Sequence, residues 1–248
     1  MKIYSHIRIM ILLFSVISFC TSCQNDDPVD PPTKANIIGS VNLYDEGTNP
    51  LPKDGMMVSI AGSSPIISTF TDAEGSFVLP GIPFGTYTLS FEKSGFGKFN
   101  KVGVVHSNTG SSTVIMPSPS LGQLSTTTIT GLTSTSGLSN SKLTITTTPA
   151  PVSLVPRYIR VFYSKSSSVS FFNYIKYSTV YKHPSNPADL VLGIKELQEM
   201  GFNAGDIVYA RVYGDSFWSN DYDNPATGKR EFPNLNATTL DAVSFIVP

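Results

Sequence analysis

The chain has 248 residues, of which 40% are hydrophobic, 14% charged and 11% aromatic. It is too apolar and too weakly charged for a disordered polymer, and a net charge of −1 excludes the broad basic surface that nucleic-acid binding needs. Glycine (19) and proline (18) are frequent, and with abundant Ser and Thr they give the composition of strands joined by tight turns.

Lys2 and Arg8 flank a cationic start and lead into an apolar run, Ile9 to Phe19. A membrane-spanning helix needs roughly 20 apolar residues, so this run is too short to stay in a bilayer and fits the core of a signal peptide. The chain continues Cys20-Thr21-Ser22-Cys23. Small residues before a cysteine resemble the bacterial lipoprotein signal, which implies cleavage before Cys23 and acylation of its sulfur. Cys23 fits better than Cys20, because Ser22 is small and Phe19 is bulky. The departure is Cys20 itself, which stands where such signals carry an aliphatic residue. An ordinary secretory signal cleaved nearby is the competing reading. Each buried acyl methylene contributes about 0.8 kcal/mol to membrane attachment. Removal of residues 1–22 leaves Cys23 as the one cysteine, so folding rests on hydrophobic burial without an internal disulfide.

Gln24-Asn25-Asp26-Asp27 follows, then Pro28, Asp30, Pro31 and Pro32. This stretch resembles the acidic export signal of Bacteroidota surface lipoproteins. Residues 23–34 also read as a solvated tether, since acids and prolines do not pack.

From Ile37 to Met116, short alternating segments are separated by turn residues: Val41 and Leu43 share a face, as do Phe77 and Leu79, then Tyr87, Leu89 and Phe91. Asp72 and Gly75 suit one turn, and Pro83 and Gly85 the next. The series Thr71-Asp72-Ala73-Glu74-Gly75-Ser76-Phe77, Pro83-Phe84-Gly85-Thr86-Tyr87 and Gly95-Phe96 resembles the carboxypeptidase regulatory-like family. The resemblance implies a transthyretin-like sandwich over residues 35–117. The loop Pro52 to Met57 is longer than that pattern expects. Its signature residues are turn and core residues, so no catalytic group is carried over.

Pro117-Ser118-Pro119-Ser120 reads as a hinge, because two prolines block continued pairing. Residues 118–248 again favour strands, at Lys142–Thr146, Arg157–Tyr163, Phe171–Tyr181, Asp206–Tyr213 and Ala242–Val247. One helix is expected over Ile194–Met200, ended by Gly201, with Glu196 and Glu199 on a solvated face. The run from Leu197 to Tyr209 and Val212 resembles the approach to the sixth strand of fibronectin type III domains, where a tyrosine packs the corner. The expected fold is therefore all-β: two tandem β-sandwich domains, transthyretin-like and then Ig/fibronectin-like, with one short helix in the second.

The lone tryptophan lies in Tyr213 to Asn224, a stretch expected to be a loop after a strand. Trp218 and Tyr222 offer flat faces for sugar C–H surfaces, and Asp221 and Asn224 offer hydroxyl partners. The same residues also suit a plugged sandwich end with polar turns. Asp221, Asp223 and Asn224 are hard-oxygen candidates for calcium, without the spacing or closing Glu of an EF-hand. No cofactor is expected. His106 and His183 lack a partner at metal-ligand spacing, and no His-Glu-x-x-His occurs. Gly95-Phe96-Gly97-Lys98 is no phosphate loop, and no Gly-x-Ser-x-Gly elbow is present.

With no histidine-containing constellation and no placed carboxylate dyad, an enzyme ranks last. The expected role is a non-enzymatic outer-membrane lipoprotein, held to the membrane by lipid and presenting its sandwiches at the cell surface, or on the periplasmic face, to an extracellular glycan. The alternative is an accessory subunit that binds an outer-membrane protein partner.

Overall fold

The computed structural model describes residues 31–152 and 155–248. The expected signal sequence, the expected lipidation site Cys23, and Gln24, Asn25, Asp26 and Asp27 lie outside the described residues. Residues 33–248 form one compact unit, almost entirely of strands. Its first half holds β1 (Lys34–Ser40), β2 (Asn42–Tyr44), β3 (Pro50–Leu51), β4 (Met57–Ile60), β5 (Ser68–Phe70), β6 (Ser76–Pro83), β7 (Gly85–Glu92), β8 (Phe99–His106), β9 (Thr113–Val114) and β10 (Ser120–Gly122). Its second half holds β11 (Thr128–Ser136), β12 (Asn140–Thr148), β13 (Arg157–Ser164), β14 (Lys176–Tyr177), β15 (Tyr181–His183), β16 (Ala188–Gly193), α1 (Ile194–Glu199), β17 (Ile207–Asp215), β18 (Tyr222–Asn224), β19 (Lys229–Glu231) and β20 (Val243–Ile246).

In the first sandwich, sheet β5-β4-β7-β8 faces strands ordered β6-β1-β9 and β10-β2-β3. The alternating residues read from the sequence point inward: Val41, Leu43, Phe77, Leu79, Leu89 and Phe91 share one core. β1 and β2 are one strand interrupted at Val41, whose N–H donates to the Gly75 carbonyl at 3.0 Å. The Asp72 turn closes as its chemistry dictates, with Ser76 N–H donating to Asp72 Oδ1 at 2.7 Å. Gly75 sits at φ 83°, and a Cβ there would collide with the Val41 carbonyl and with Lys53, so both backbone angle and space demand glycine. Tyr87 OH donates to the Pro83 carbonyl at 2.8 Å and straps the next turn.

The expected hinge is pinned to the first sandwich. Ser118 Oγ bonds Ser40 Oγ at 2.7 Å, the Asn42 N–H donates to Pro119 O at 2.8 Å, and β10 pairs in parallel with β2. Leu121 therefore belongs to the first core. Proline blocks donation from its own nitrogen but leaves its carbonyl free, and the pairing uses that carbonyl.

The second sandwich packs sheet β11-β12-β16 on sheet β14-β13-β17-β20, with β15 also paired to β13. Ile159 and Val161 of β13 meet Val208, Ala210 and Val212 of β17 and Leu143 and Ile145 of β12 between the sheets. α1 contributes the fully buried Leu197, while Lys195 and Glu199 stay in water. Tyr209, the tyrosine singled out by the fibronectin resemblance, lies on the opposite face from this core, and Val208 takes the inward position. The expected strand over Phe171–Tyr181 is a loop with a two-residue pairing at β14, and ladder pairing resumes at Tyr181, where β15 begins. Ser170 and Asn173 exchange backbone hydrogen bonds and close a turn inside it, and Ser170 Oγ accepts from the Asn173 N–H at 3.2 Å. Such local side-chain bonds compete with ladder formation.

Candidate functional site

β13 and β17 alternate in an unusual way, because both of their faces are covered. Their inner face supplies the core between the sheets. Their outer face carries Phe162, Arg160, Tyr213 and Asp215, all buried. Two insertions cover that outer face: residues 165–175 between β13 and β14, and residues 216–242 between β17 and β20. Phe162, Val169, Tyr213 and Phe232 form a separate cluster there, with Phe171 and Tyr174 packed against it. Phe162 meets Phe232 edge-on at 5.0 Å and Tyr213 edge-on at 5.6 Å, arrangements that add to simple area burial.

Under this aromatic layer runs a chain of charges. Arg160, 3% exposed, donates through Nε to Asp215 Oδ2 at 2.7 Å and approaches Asp221 through Nη2 at 3.2 Å. Its guanidinium lies 4.9 Å from the Phe232 ring centroid. Burial pushes the Asp215 carboxyl up to about 6, against the pull of Arg160. Asp221 continues the chain to Arg230 Nη2 at 3.2 Å, and Arg230 Nη1 reaches Asp223 Oδ1 at 3.0 Å. Burial opposes the charge on Arg230, but hydrogen bonds and attraction from Asp221 and Asp223 raise its pKa above the ordinary value.

The four residues expected to receive sugar are spread along this insertion and engaged within the chain. Trp218 is half-buried and stacks on Tyr44 of the first sandwich at 5.1 Å, with Phe217 edge-on at 5.1 Å. Tyr222 meets Phe99 edge-on at 6.1 Å, and its OH accepts from Asn100 Nδ2 at 3.0 Å. Asp221 is held by two guanidinium groups. Asn224 donates to Glu231 Oε1 and accepts from the Ala226 N–H, so it builds the β18–β19 turn. For the calcium candidates, Arg230 occupies the space between Asp221 and Asp223. Among the described residues no group of three His, Cys, Asp or Glu side chains is placed to hold a metal. His106 is buried between Thr113 Oγ1 at 2.7 Å and the Ile82 carbonyl at 3.0 Å, a structural histidine. Burial lowers the pKa of His183, which sits near Asn186.

Trp218 lies on a seam that fastens the two sandwiches together. Asn220, at φ 54° in the left-handed region that Asn tolerates, accepts from the Gly122 N–H at 2.9 Å and donates to the carbonyls of Gly97 and Gly122 at 3.0 Å each. Asn234 accepts from the Gly97 N–H at 3.1 Å and donates to the carbonyls of Gly122 at 3.1 Å and Trp218 at 2.8 Å. Both Asn side chains are buried and satisfied at both ends. Gly122 is required by contact: a Cβ there would strike the Trp218 carbonyl. Glu46 adds an outer clasp, accepting from Ser125 at 3.3 Å and from Thr126 and Thr127.

Exposed aromatic and polar groups converge on the other side of the β18–β19 hairpin. A cleft of about 360 Å³ opens between the two insertions, lined by Phe172, Tyr174, Tyr177, Asp223, Lys229 and Arg230. Phe172 is 65% exposed and Tyr177 is 37% exposed. The rings have rigid backing: Tyr177 packs on Phe232 at 5.0 Å, Tyr174 meets Tyr177 edge-on at 5.4 Å, and Arg160 lies 5.8 Å from the Tyr177 centroid. Lys229 Nζ donates to the Phe172 carbonyl at 3.3 Å and joins the two insertions across the cleft. The sequence reading missed this site, apart from Asp223, because Phe172, Tyr174 and Tyr177 looked like a strand. The available signal was Ser166–Ser170 just upstream, a polar stretch that favours a loop.

No family model matches the chain, and no curated protein matches it. Among solved structures, it is similar to a protein of Bacteroides uniformis provisionally described as carbohydrate-binding, with 13% identity over 86% of this chain and 98% of that one, TM-score 0.30. It is also similar to a DUF3823 family protein of Parabacteroides merdae, with 13% identity over 75% of this chain and 93% of that one, TM-score 0.29. A two-domain fibronectin type III segment of chicken tenascin aligns with 14% identity over 87% of this chain and 93% of that one, TM-score 0.22. Likenesses this loose carry no ligand or activity from those proteins to this one.

Proposed function

We propose that this chain is a non-enzymatic binding module, lipid-anchored through Cys23 at the outer membrane and exposed at the cell surface, that captures glycan in the cleft between its two insertions. The observation that carries the reading is the pairing of exposed, rigidly backed rings with the exposed Asp223 carboxylate and the half-buried Arg230 guanidinium. A pyranose presents apolar C–H faces to rings and hydroxyl edges to charged groups, so such a cleft matches both of its surfaces. The Trp218 loop then serves the site indirectly, by holding the hairpin against the first sandwich. Glycan-array binding by the full chain, with Phe172→Ala as the control, tests the reading. Signal lost in the variant supports it, and absence of signal on every glycan overturns it. Mass spectrometry of the membrane-extracted protein tests the anchor: an acylated N-terminal Cys23 is expected, and a free thiol in soluble protein refutes it.

The accessory-subunit reading draws on a different surface. Val78, Ile38 and Val114 stand side by side across β6, β1 and β9, and Val78 and Val114 are exposed, as is Met116 just beyond β9.

A further inference from the structure

We infer that the cleft selects a neutral sugar bearing adjacent free hydroxyls over an acidic one; this rests on the glycan reading above. The charges around the cleft are largely matched within the chain. Arg230 is shared between Asp221 and Asp223, and Arg160 behind it is shared between Asp215 and Asp221. Asp223 is 82% exposed at its side chain, so a uronate or sulfate entering here meets a carboxylate. Lys229 is the remaining cation of the lining and bonds only the neutral Phe172 carbonyl, so its charge stands; with Asp221 and Asp223 set against Arg230 and Lys229, the cleft offers an anion no net positive field. A like charge placed beside Asp223 is repelled, whereas an uncharged diol is not.

The unused hydrogen-bonding groups complement hydroxyls. Asp223 Oδ1 holds Arg230 Nη1, which leaves Oδ2 as an acceptor without a partner among the described residues. Nη1 and Nη2 of Arg230 each contact one carboxylate oxygen, so N–H donors are left over beside that acceptor. Asn173, at the rim, donates from Nδ2 to Ser168 O at 3.3 Å and Ser168 Oγ at 2.9 Å, which leaves its Oδ1 as a further acceptor. Each hydroxyl of a sugar both donates and accepts, so adjacent hydroxyls bridge Asp223 Oδ2 and an Arg230 N–H while the ring face lies on Tyr177 or Phe172. In this arrangement Asp223 determines specificity and the rings supply most of the buried area.

The test is native affinity electrophoresis of the full chain in a detergent without sugar headgroups. The gels contain a neutral glucan, mannan or xylan, or the acidic polymer polygalacturonate. Retardation is expected in at least one neutral gel and not in the acidic one. Phe172→Ala and Asp223→Ala should each weaken it at least tenfold, with thermal unfolding unchanged because both side chains are exposed. Retardation by polygalacturonate alone, or undiminished neutral binding by Asp223→Ala, overturns the inference and leaves glycan capture standing. Absence of retardation in every gel, acidic or neutral, overturns glycan capture itself.

Discussion

The two sandwiches solve the same problem differently. In the first, the strands bury one face, and a single core of Leu, Ile, Val and Phe side chains suffices. In the second, β13 and β17 are apolar or buried on both faces, so the sheet has one core beneath it and another above it. The upper layer is built by chain that leaves the sandwich and folds back over it. A strand buried on one face needs only its partner sheet. One buried on both needs extra chain, and that chain is then free to carry a binding cleft on its outer side.

The largest expected effect tests whether the upper layer is a true core. Phe162→Ala should cost about 4 kcal/mol, comparable to Phe91→Ala in the first sandwich, because each removes a fully buried ring. Equilibrium urea unfolding measures both, and a loss below about 1 kcal/mol at Phe162 would make the upper layer a mere covering.

Next is the seam. Asn234→Ala strips hydrogen bonds from Gly97, Gly122 and Trp218 in a buried site. It should cost about 3 kcal/mol, as unsatisfied buried groups cost ~1–3 kcal/mol each and partly relax. It should also split one unfolding transition into two when tryptophan emission, reporting the seam, is compared with far-ultraviolet circular dichroism. Coincident curves in the variant would mean that the two halves are coupled by other contacts.

A smaller effect, on the order of 2 kcal/mol, concerns pH and the charge chain that the first sandwich lacks. The Asp215 carboxyl rises from an ordinary 3.8 to about 6 on folding. Between those values the folded state holds the proton more tightly than the unfolded one, so this group's contribution falls as pH rises from about 4 to about 6. Asp189, Asp206 and Glu92 are shifted downward and give the opposite slope, so the comparison must be made against Asp215→Asn. The wild-type stability minus that of Asp215→Asn should decline across that window, and a flat difference would remove Asp215 as the titrating group.

The smallest effect lies at the cleft. Phe172→Ala should change stability by less than about 0.5 kcal/mol, since its ring is largely in water. A larger loss on urea unfolding would assign Phe172 to the upper layer instead of the binding surface.

The two halves also differed in how well their sequences could be read. In the first, alternation and turn chemistry agree: Phe77, Leu79, Leu89 and Phe91 point inward, and Asp72, Gly75 and Tyr87 close the turns that their types favour. In the second, Val208, Ala210 and Val212 were legible as an inward face, and α1 as a helix. The outer face was not, because Arg160 and Asp215 read as ordinary surface charges until the fold pairs them across β13 and β17. The aromatic loop was misread for a related reason. Phe171 and Tyr174 are apolar because they lie on another sheet's face, not because they alternate within a strand of their own. Asp221 and Trp218 stand out in the sequence as candidate ligand-binding residues, but the partners that engage them, Arg160 and Tyr44, are remote in sequence.

β1 follows directly on the segment expected to be a tether and lies between β6 and β9. If the tether is fixed and a polymer tugs on the far half, tension enters along Lys34 and runs lengthwise down this strand. The rungs shared with β6 are then strained in parallel, all at once, and do not open one after another from an end. Such a lengthwise grip would suit the anchored binding module proposed above, whose load would enter at this strand.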